Sequence, residues 1–399
     1  MKYYIIAGEA SGDLYGANLI KALREKDPQA EFRFWGGNAM MQVAGQPVRH
    51  IRDLAIMGFI EVMMHLRTVL GNISFCKRDI LAWQPDAVIG IDYPGFNLKI
   101  EKWAHTHGIK AVHYISPQLW AWKKGRLKGM RRYLDRLCYI LPFEQEFYAT
   151  NNLPQAVYVG HPLVECIANL NDPKDLNDPK DNRPIIALLP GSRRQEIKNS
   201  LPYMVRLAAN HPEYQFVVAG MSLIGSELYD KLINSGNQTI LPERQRTACD
   251  QHGAKQSCNL EVVYDQTYSL LSQAYAAVVC SGTATLETGL FHVPQVVCYR
   301  GNPISISIAR ALVGNRINHI ALVDLIDDSN VVTELLQQDF NDRRLEQEFQ
   351  LITTDTANRE RMLEGYRRVE QKLGNAGASH RTAESIINLI NASQITVKD

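Results

Sequence analysis

The chain has 399 residues, a formal net charge of +1 and 45% hydrophobic content, the profile of an ordinary globular protein of two or three domains. So balanced a charge excludes a global field that recruits nucleic acid or an anionic membrane, and leaves only local patches for such roles. The seven cysteines (Cys76, Cys138, Cys166, Cys249, Cys258, Cys280 and Cys298) are scattered, odd in number and form no C-x-x-C pair. That usage favours reduced thiols in a cytoplasm over a disulfide framework or a zinc site.

The opening MKYYIIAGEASGD has too short an apolar run, followed by acids, for a signal peptide. No window of about 18 uninterrupted apolar residues occurs, so no bilayer-spanning helix is expected. The expectation is a cytoplasmic protein that at most lies on a membrane surface.

Taken in order, strands are predicted at KYYIIAG, EFRFWGG, DAVIGID, KAVHYIS, RLCYILP and AVYVGHP, then at PIIALLPG, QFVVAG, LEVVYD, AAVVCSG and PQVVCYR. Continuous apolar runs separated by helical stretches are the signature of parallel strands buried on both faces. The fold class is therefore α/β, with doubly wound sheets. Residues 171–182, NDPKDLNDPKDN, duplicate a five-residue polar unit that is too short for a structural repeat and reads as a linker. It divides the chain into two Rossmann-like domains, 1–168 and 183–370, with a helical tail over 371–399. After PQVVCYR the sequence turns mostly helical. Two such domains are expected to face a cleft, with ligands at the carboxyl ends of both sheets.

Two common nucleotide grammars fail. No G-K-[ST] is present, and the first loop spaces its glycines as Gly8, Gly12 and Gly16, which is not G-x-G-x-x-G. Glu31 begins the second strand, where a dinucleotide domain carries its ribose-binding acid at the strand's end. A dehydrogenase is thereby disfavoured. Better candidates stand in the second half. Gly191, Ser192 and Arg193 lie at one strand–helix junction, and Ser281, Gly282, Thr283 and Ala284 at another. Helix N-termini offer free N–H groups to a diphosphate, and Arg193 adds a charge-assisted contact. Glu287, just inside the second of these helices, can accept hydrogen bonds from ribose hydroxyls. Each turn read alone is an ordinary strand–helix junction. No D-x-D occurs, so no acidic clamp for a metal-bridged sugar nucleotide is present, and a transferase without metal or other cofactor is implied.

Asp92 ends the strand DAVIGID ahead of a Pro-Gly turn. A carboxylate there can serve as general base toward an acceptor hydroxyl, or simply stabilise the turn. Glu9 and Asp13 have the same double reading, Asp13 as a cap of the following helix. Cys280 reads as a buried strand thiol rather than a nucleophile, and His161 as a satisfied turn histidine. Residues 56–73, IMGFIEVMMHLRTVLGNI, are oily but carry Glu61, His65 and Arg67, which suits either a core helix or one lying at a membrane interface beside acyl chains. Trp120 and Trp122 precede Lys123, Lys124, Arg126, Lys128, Arg131 and Arg132. That is an anchor for anionic lipid, a solvated helix face or an RNA patch, though no RNA-binding module signature accompanies it.

AGEASGD, MGFIEV, PDAVIGID, SPQLWAW, LPFE, VGHP, LLPGSRRQE and SGTATLE occur in one order. In that order they resemble the lipid-A-disaccharide synthase family, from about residue 3 to residue 325. The resemblance implies an inverting GT-B glycosyltransferase of Gram-negative lipid A (lipopolysaccharide) assembly, with a terminal helix returning to the first domain. It implies transfer from UDP-2,3-diacylglucosamine to 2,3-diacylglucosamine 1-phosphate, giving a β-1,6 disaccharide and UDP. It further implies peripheral association with the inner membrane through residues 56–73 and the Trp120–Arg132 region. Contacts to UDP are implied at Arg193, Ser281, Gly282, Thr283 and Glu287, and an essential acid at Asp92. Family members usually carry a second acid at the position of Gly95, so here Asp92 acts alone, or the base lies at Glu9 or Asp13. Ser11 and Gly12 would then stand nearest the reacting sugars. Oligomeric state is left open, a homodimer included. Two rivals remain: a UDP-N-acetylglucosamine transferase acting on a polyprenyl-linked acceptor, and a UDP-sugar sensor without turnover.

Overall fold

The structure, a computed structural model, describes residues 1–53, 66–117, 119, 125–170, 182–240, 259–301 and 319–396. The oily stretch from 56 to 65, Trp120 to Lys124, linker residues 171–181, Cys249 and Cys258 lie outside the described residues. The chain divides into two compact units, Met1–Ala168 with Leu373–Asp399, and Asn169–Lys372.

The first unit is built on a seven-stranded sheet in the order β3-β2-β1-β4-β5-β6-β7. These are β1 (Lys2–Ala7), β2 (Glu31–Gly36), β3 (Arg49–His50), β4 (Ala87–Ile91), β5 (Lys110–Tyr114), β6 (Arg136–Tyr139) and β7 (Ala156–Tyr158). Every pairing is parallel, which requires helical crossovers that cover both faces. Ile5, Ile6, Val88 and Ile89 are accordingly fully buried, each contributing roughly 1.5–3 kcal/mol relative to exposure.

The second unit repeats the scheme with six strands in the order β10-β9-β8-β11-β12-β13. They are β8 (Ile185–Leu189), β9 (Gln215–Gly220), β10 (Leu260–Tyr264), β11 (Ala274–Cys280), β12 (Gln295–Tyr299) and β13 (Thr333–Leu336). β13 is a strand that the mostly helical reading beyond Arg300 did not single out. It pairs parallel to β12, from Val296 opposite Thr333 to Tyr299 opposite Leu336.

The terminal helix Ala378–Thr396 packs on the first unit, against the helix Ala10–Lys26. Its N-terminus is capped from a distance, because Glu165 Oε2 accepts the Ser379 N–H at 2.8 Å. Arg381 Nε donates to the Val159 carbonyl at 2.7 Å, and the Tyr158 hydroxyl to the Leu373 carbonyl at 3.0 Å. Buried apolar residues of this helix, Ala383, Ile386 and Ile390, complete the contact.

Candidate functional site

In each sheet the strand order reverses beside the first strand, between β1 and β4 in one unit and between β8 and β11 in the other. Connections leaving the carboxyl ends there run to opposite faces and open a crevice that ligands occupy. The four loops singled out by residue type follow these four strands: residues 8–13 after β1, Asp92 after β4, 191–193 after β8 and 281–284 after β11.

Asp92 is half-buried, and it and Tyr93 both have a φ of +47°, a left-handed conformation that residues with side chains seldom adopt. Two bonds hold the bend. The Asp92 N–H donates to the Tyr114 carbonyl at 2.8 Å, and Asn97 Nδ2 donates to the Asp92 carbonyl at 2.8 Å. Strain of this kind costs of order 1–3 kcal/mol per residue and persists where the surroundings over-determine it, characteristically at functional sites. The bend turns the chain into the helix Pro94–Thr106, whose first residue is a proline with φ already set for helix. The Tyr93 ring lies against Gly8, where a Cβ would sit 2.5 Å from its Cγ. Burial and the Glu9 charge raise the Tyr93 phenol above its ordinary value, so the loops after β1 and β4 form one surface. Glu9 is exposed and Ser11 half-buried on it.

Asp13 and Gly12 do not share that surface. The Asp13 carboxylate is buried and accepts the N–H groups of Gly37 at 2.6 Å, Ala39 at 2.9 Å and Met40 at 3.1 Å. It thus caps the next helix, Asn38–Ala44, and neither its own helix nor a sugar. Gly12 is buried, and a Cβ on it would sit 3.4 Å from the Ala7 Cβ. A side chain there would make only ordinary contacts. The Asp13 carboxylate, spent as a cap, leaves the candidate catalytic set.

In the second unit Gly191 has a φ of +117° and its turn wraps around Glu196. Glu196 Oε2 accepts the N–H groups of Ser192 at 3.0 Å and Arg193 at 3.2 Å, and its Oε1 meets Arg193 Nη1 at 3.3 Å. Glu196 thus caps the start of the helix Arg194–Asn210. In this structure the N–H groups of Ser192 and Arg193 are engaged by a carboxylate, and Gly191 supplies the turn. The Arg193 guanidinium is 62% exposed while paired with Glu196. The turn after β11 differs. No protein acceptor among the described residues takes the N–H groups of Gly282, Thr283 or Ala284, which head the helix Thr283–Leu290. Three residues beyond Ala284, Glu287 Oε1 accepts from the Tyr268 hydroxyl at 3.3 Å, and burial raises its carboxyl to about 7.

Cys280 is buried, and burial pushes its thiol up to about 12, which removes it as a nucleophile. His161 is buried with its imidazole pushed down to about 3, and its Nδ1 accepts the Leu163 N–H at 3.2 Å. It is a turn residue. His319, Asp324 and Glu334 bring ligand-type atoms within 4.8 Å of one another. Glu334 already takes the N–H groups of Ile320 and Ala321, and Asp324 those of Val331 and Val332, so the trio fastens a loop to β13.

Several buried polar groups had escaped residue-type reasoning. His113 on β5 bonds Glu101 at 2.7 Å, and Ser116 donates to Glu144 at 2.9 Å while sharing a short bond with Tyr148. A histidine inside the apolar run KAVHY and the acid closing LPFE were the legible signals. On the helix Leu66–Trp83, Leu70 and Leu81 are 52% and 50% exposed beside exposed Arg67 and Arg78. Arg131, from the basic cluster, is committed to the carbonyls of Asn151 and Asn152. No helix among the described residues is long and apolar enough to cross a membrane.

A sequence profile of the family described as Lipid-A-disaccharide synthetase matches residues 3–387. The lipid-A-disaccharide synthase of Acidobacterium capsulatum is 36% identical over 382 residues, 94% of this chain and 92% of that one. That of Coxiella burnetii (strain CbuG_Q212) is 34% identical over 392 residues, covering 97% and 98%. Among solved structures, the S. aureus MnaA–UDP co-structure superposes with a TM-score of 0.66 at 13% identity, covering 98% of each chain. The glycotransferase of kitacinnamycin superposes with a TM-score of 0.60 at 14% identity, covering 98% of this chain and 99% of that one. At such identities the likeness is one of fold, two α/β units of GT-B type. The matches do not favour the polyprenyl-acceptor alternative. The chain belongs to the lipid-A-disaccharide synthase family and is a glycosyltransferase.

Proposed function

We propose that the chain transfers the sugar of UDP-2,3-diacylglucosamine to the 6-hydroxyl of 2,3-diacylglucosamine 1-phosphate in a single inverting displacement, with Asp92 as general base. The observation that carries this reading is the Asp92 bend, a carboxylate at the tip of a switch-point strand on a braced left-handed backbone. The acceptor oxygen gives its proton to Asp92 and bonds to C1. The bond from C1 to the diphosphate oxygen breaks, and UDP leaves with the electron pair. Arg193 and the N–H groups of Gly282 to Ala284 take up the charge that develops on the leaving diphosphate. Glu287 accepts the ribose hydroxyls, while Glu9 and Ser11 meet the sugars. No metal enters these steps, so chelator treatment is expected to leave turnover unchanged.

Exposed Leu70 and Leu81, each three residues after an exposed arginine (Arg67 and Arg78), support peripheral association with the inner-membrane surface. Cosedimentation with anionic vesicles is expected, and loss of it on changing both leucines to glutamate.

UDP release from UDP-diacylglucosamine, followed with and without the monosaccharide 1-phosphate, tests the reaction. Release that depends on the acceptor, with a disaccharide product, is expected. Release that ignores the acceptor would contradict transfer, and binding without release would leave a sensor.

A further inference from the structure

We propose that His319, Asp324 and Glu334 form a structural site for one divalent transition ion of the zinc class, seated between the loop 319–321 and β13.

The three side chains come from different elements of the second unit. His319 stands just ahead of the helix Leu322–Asp327, Asp324 lies in that helix, and Glu334 is on β13. One ligand-type atom from each lies within 4.8 Å of the other two, and His319 Nδ1 is 3.8 Å from Asp324 Oδ2. A tetrahedral ion with bonds of about 2.1 Å holds its donor atoms about 3.4 Å apart. Small side-chain rotations close the difference.

A cluster of this kind becomes a site only where one of its atoms needs a ligand, and Asp324 supplies that atom. The residue is fully buried, and its Oδ2 has no hydrogen-bond partner among the described residues. Its Oδ1, by contrast, accepts the N–H groups of Val331 at 2.8 Å and Val332 at 3.0 Å. Glu334 is braced in the same way, its Oε1 accepting the N–H groups of Ile320 at 2.8 Å and Ala321 at 2.6 Å. Paired outer hydrogen bonds to one oxygen are how a protein orients a carboxylate toward a metal.

Charge points the same way. A buried carboxylate oxygen without a partner is costly, and a second carboxylate beside it adds repulsion. Among the described residues no lysine or arginine forms an ion pair with either acid. Arg361, whose charge acts on Asp324, gives its Nη1 to the carbonyls of Asn330 and Val331. One imidazole and two carboxylates suit Zn²⁺ or Mn²⁺ better than Mg²⁺ or Ca²⁺, which take oxygen ligands alone. His319 and Glu334 are half-buried, which gives the ion a way in. The loop so pinned packs on the turn after β11, where Ser281 Oγ donates to the Ile320 carbonyl at 3.5 Å and the Leu322 N–H to Thr285 Oγ1 at 3.2 Å. The ion stands outside the transfer steps, so its readout is binding and stability rather than turnover.

The test takes the full chain, treated with chelator and then titrated with Zn²⁺ alone, by calorimetry and thermal unfolding. One saturable equivalent is expected, with Tm raised by about 5 °C at a hundredfold excess of free ion over Kd. Mg²⁺ at the same concentrations should give no shift. His319→Gln, at a side chain with no hydrogen bond among the described residues, should weaken Zn²⁺ binding at least about 10²-fold. Glu334→Gln keeps an oxygen for Ile320 and Ala321 and should weaken it likewise, and it decides the matter if His319→Gln does not fold. No saturable equivalent, or an equal response to Mg²⁺, would overturn the proposal. So would unchanged Zn²⁺ affinity in a folded variant, which would place the ion on other histidines.

Discussion

The two units share the order of their first six strands and place opposite chemistry at their switch points. In the first, the ends of β1 and β4 present acids, Glu9 and Asp92, on a surface closed by the contact of Tyr93 with Gly8. In the second, the ends of β8 and β11 present a cation, Arg193, and the N–H groups that head the helix Thr283–Leu290. Topology decides where a site can be, and the charge placed there decides what it holds. The glycine loops sharpen the contrast. Asp13 reaches forward to cap a helix 24 to 27 residues away, whereas Glu196 turns back on its own turn. A carboxylate beside a glycine turn can therefore belong wholly to the fold.

The largest expected effect of breaking this division is on chemistry. Asp92→Asn should lower kcat by about 10²- to 10⁴-fold, the range of a lost general base, which steady-state assay measures directly. Arg193→Ala comes next, with kcat/KM for the UDP sugar lower by about 10²-fold as a leaving-group contact disappears. Arg193→Lys should restore only part of it, because a point charge does not reproduce a planar fork.

Glu287 predicts a pH effect on the donor. Its carboxyl titrates near 7, raised by burial, so it is mainly protonated below that value and ionised above it. Only the ionised form accepts from both ribose hydroxyls, so donor KM should rise as pH falls from about 8 to about 6. Glu287→Gln should raise donor KM several-fold at pH 8 and flatten that dependence. The smallest catalytic effect belongs to Asp13. Asp13→Ala leaves backbone N–H groups at residues 37, 39 and 40 without their carboxylate, which costs about 1–3 kcal/mol of stability. Turnover per folded molecule should stay within about twofold, as thermal unfolding and active-site titration together would reveal.

Much of the architecture was legible because buried parallel strands must be apolar on both faces, and runs such as YYIIA and AAVVC announce that. The strand Thr333–Leu336 was not, since its four residues include Glu334, whose carboxylate serves the N–H groups of Ile320 and Ala321. Arg49–His50 is a two-residue edge with no pattern to read. At the site, residue type picked out Asp92 and Arg193 by their places at strand ends. The role of Asp13 was illegible because its partners are distant in sequence. The Glu196 cap is readable in principle, as an acid three residues after Arg193.

The measurement that bears most directly on the division of labour is UDP affinity by calorimetry, set beside turnover, for Asp92→Asn and Arg193→Ala. Asp92→Asn should bind UDP as the unaltered protein does while turning over at least about 10²-fold more slowly, and Arg193→Ala should lose UDP affinity. Equal loss of UDP binding in both, or near-normal turnover in Asp92→Asn, would contradict it.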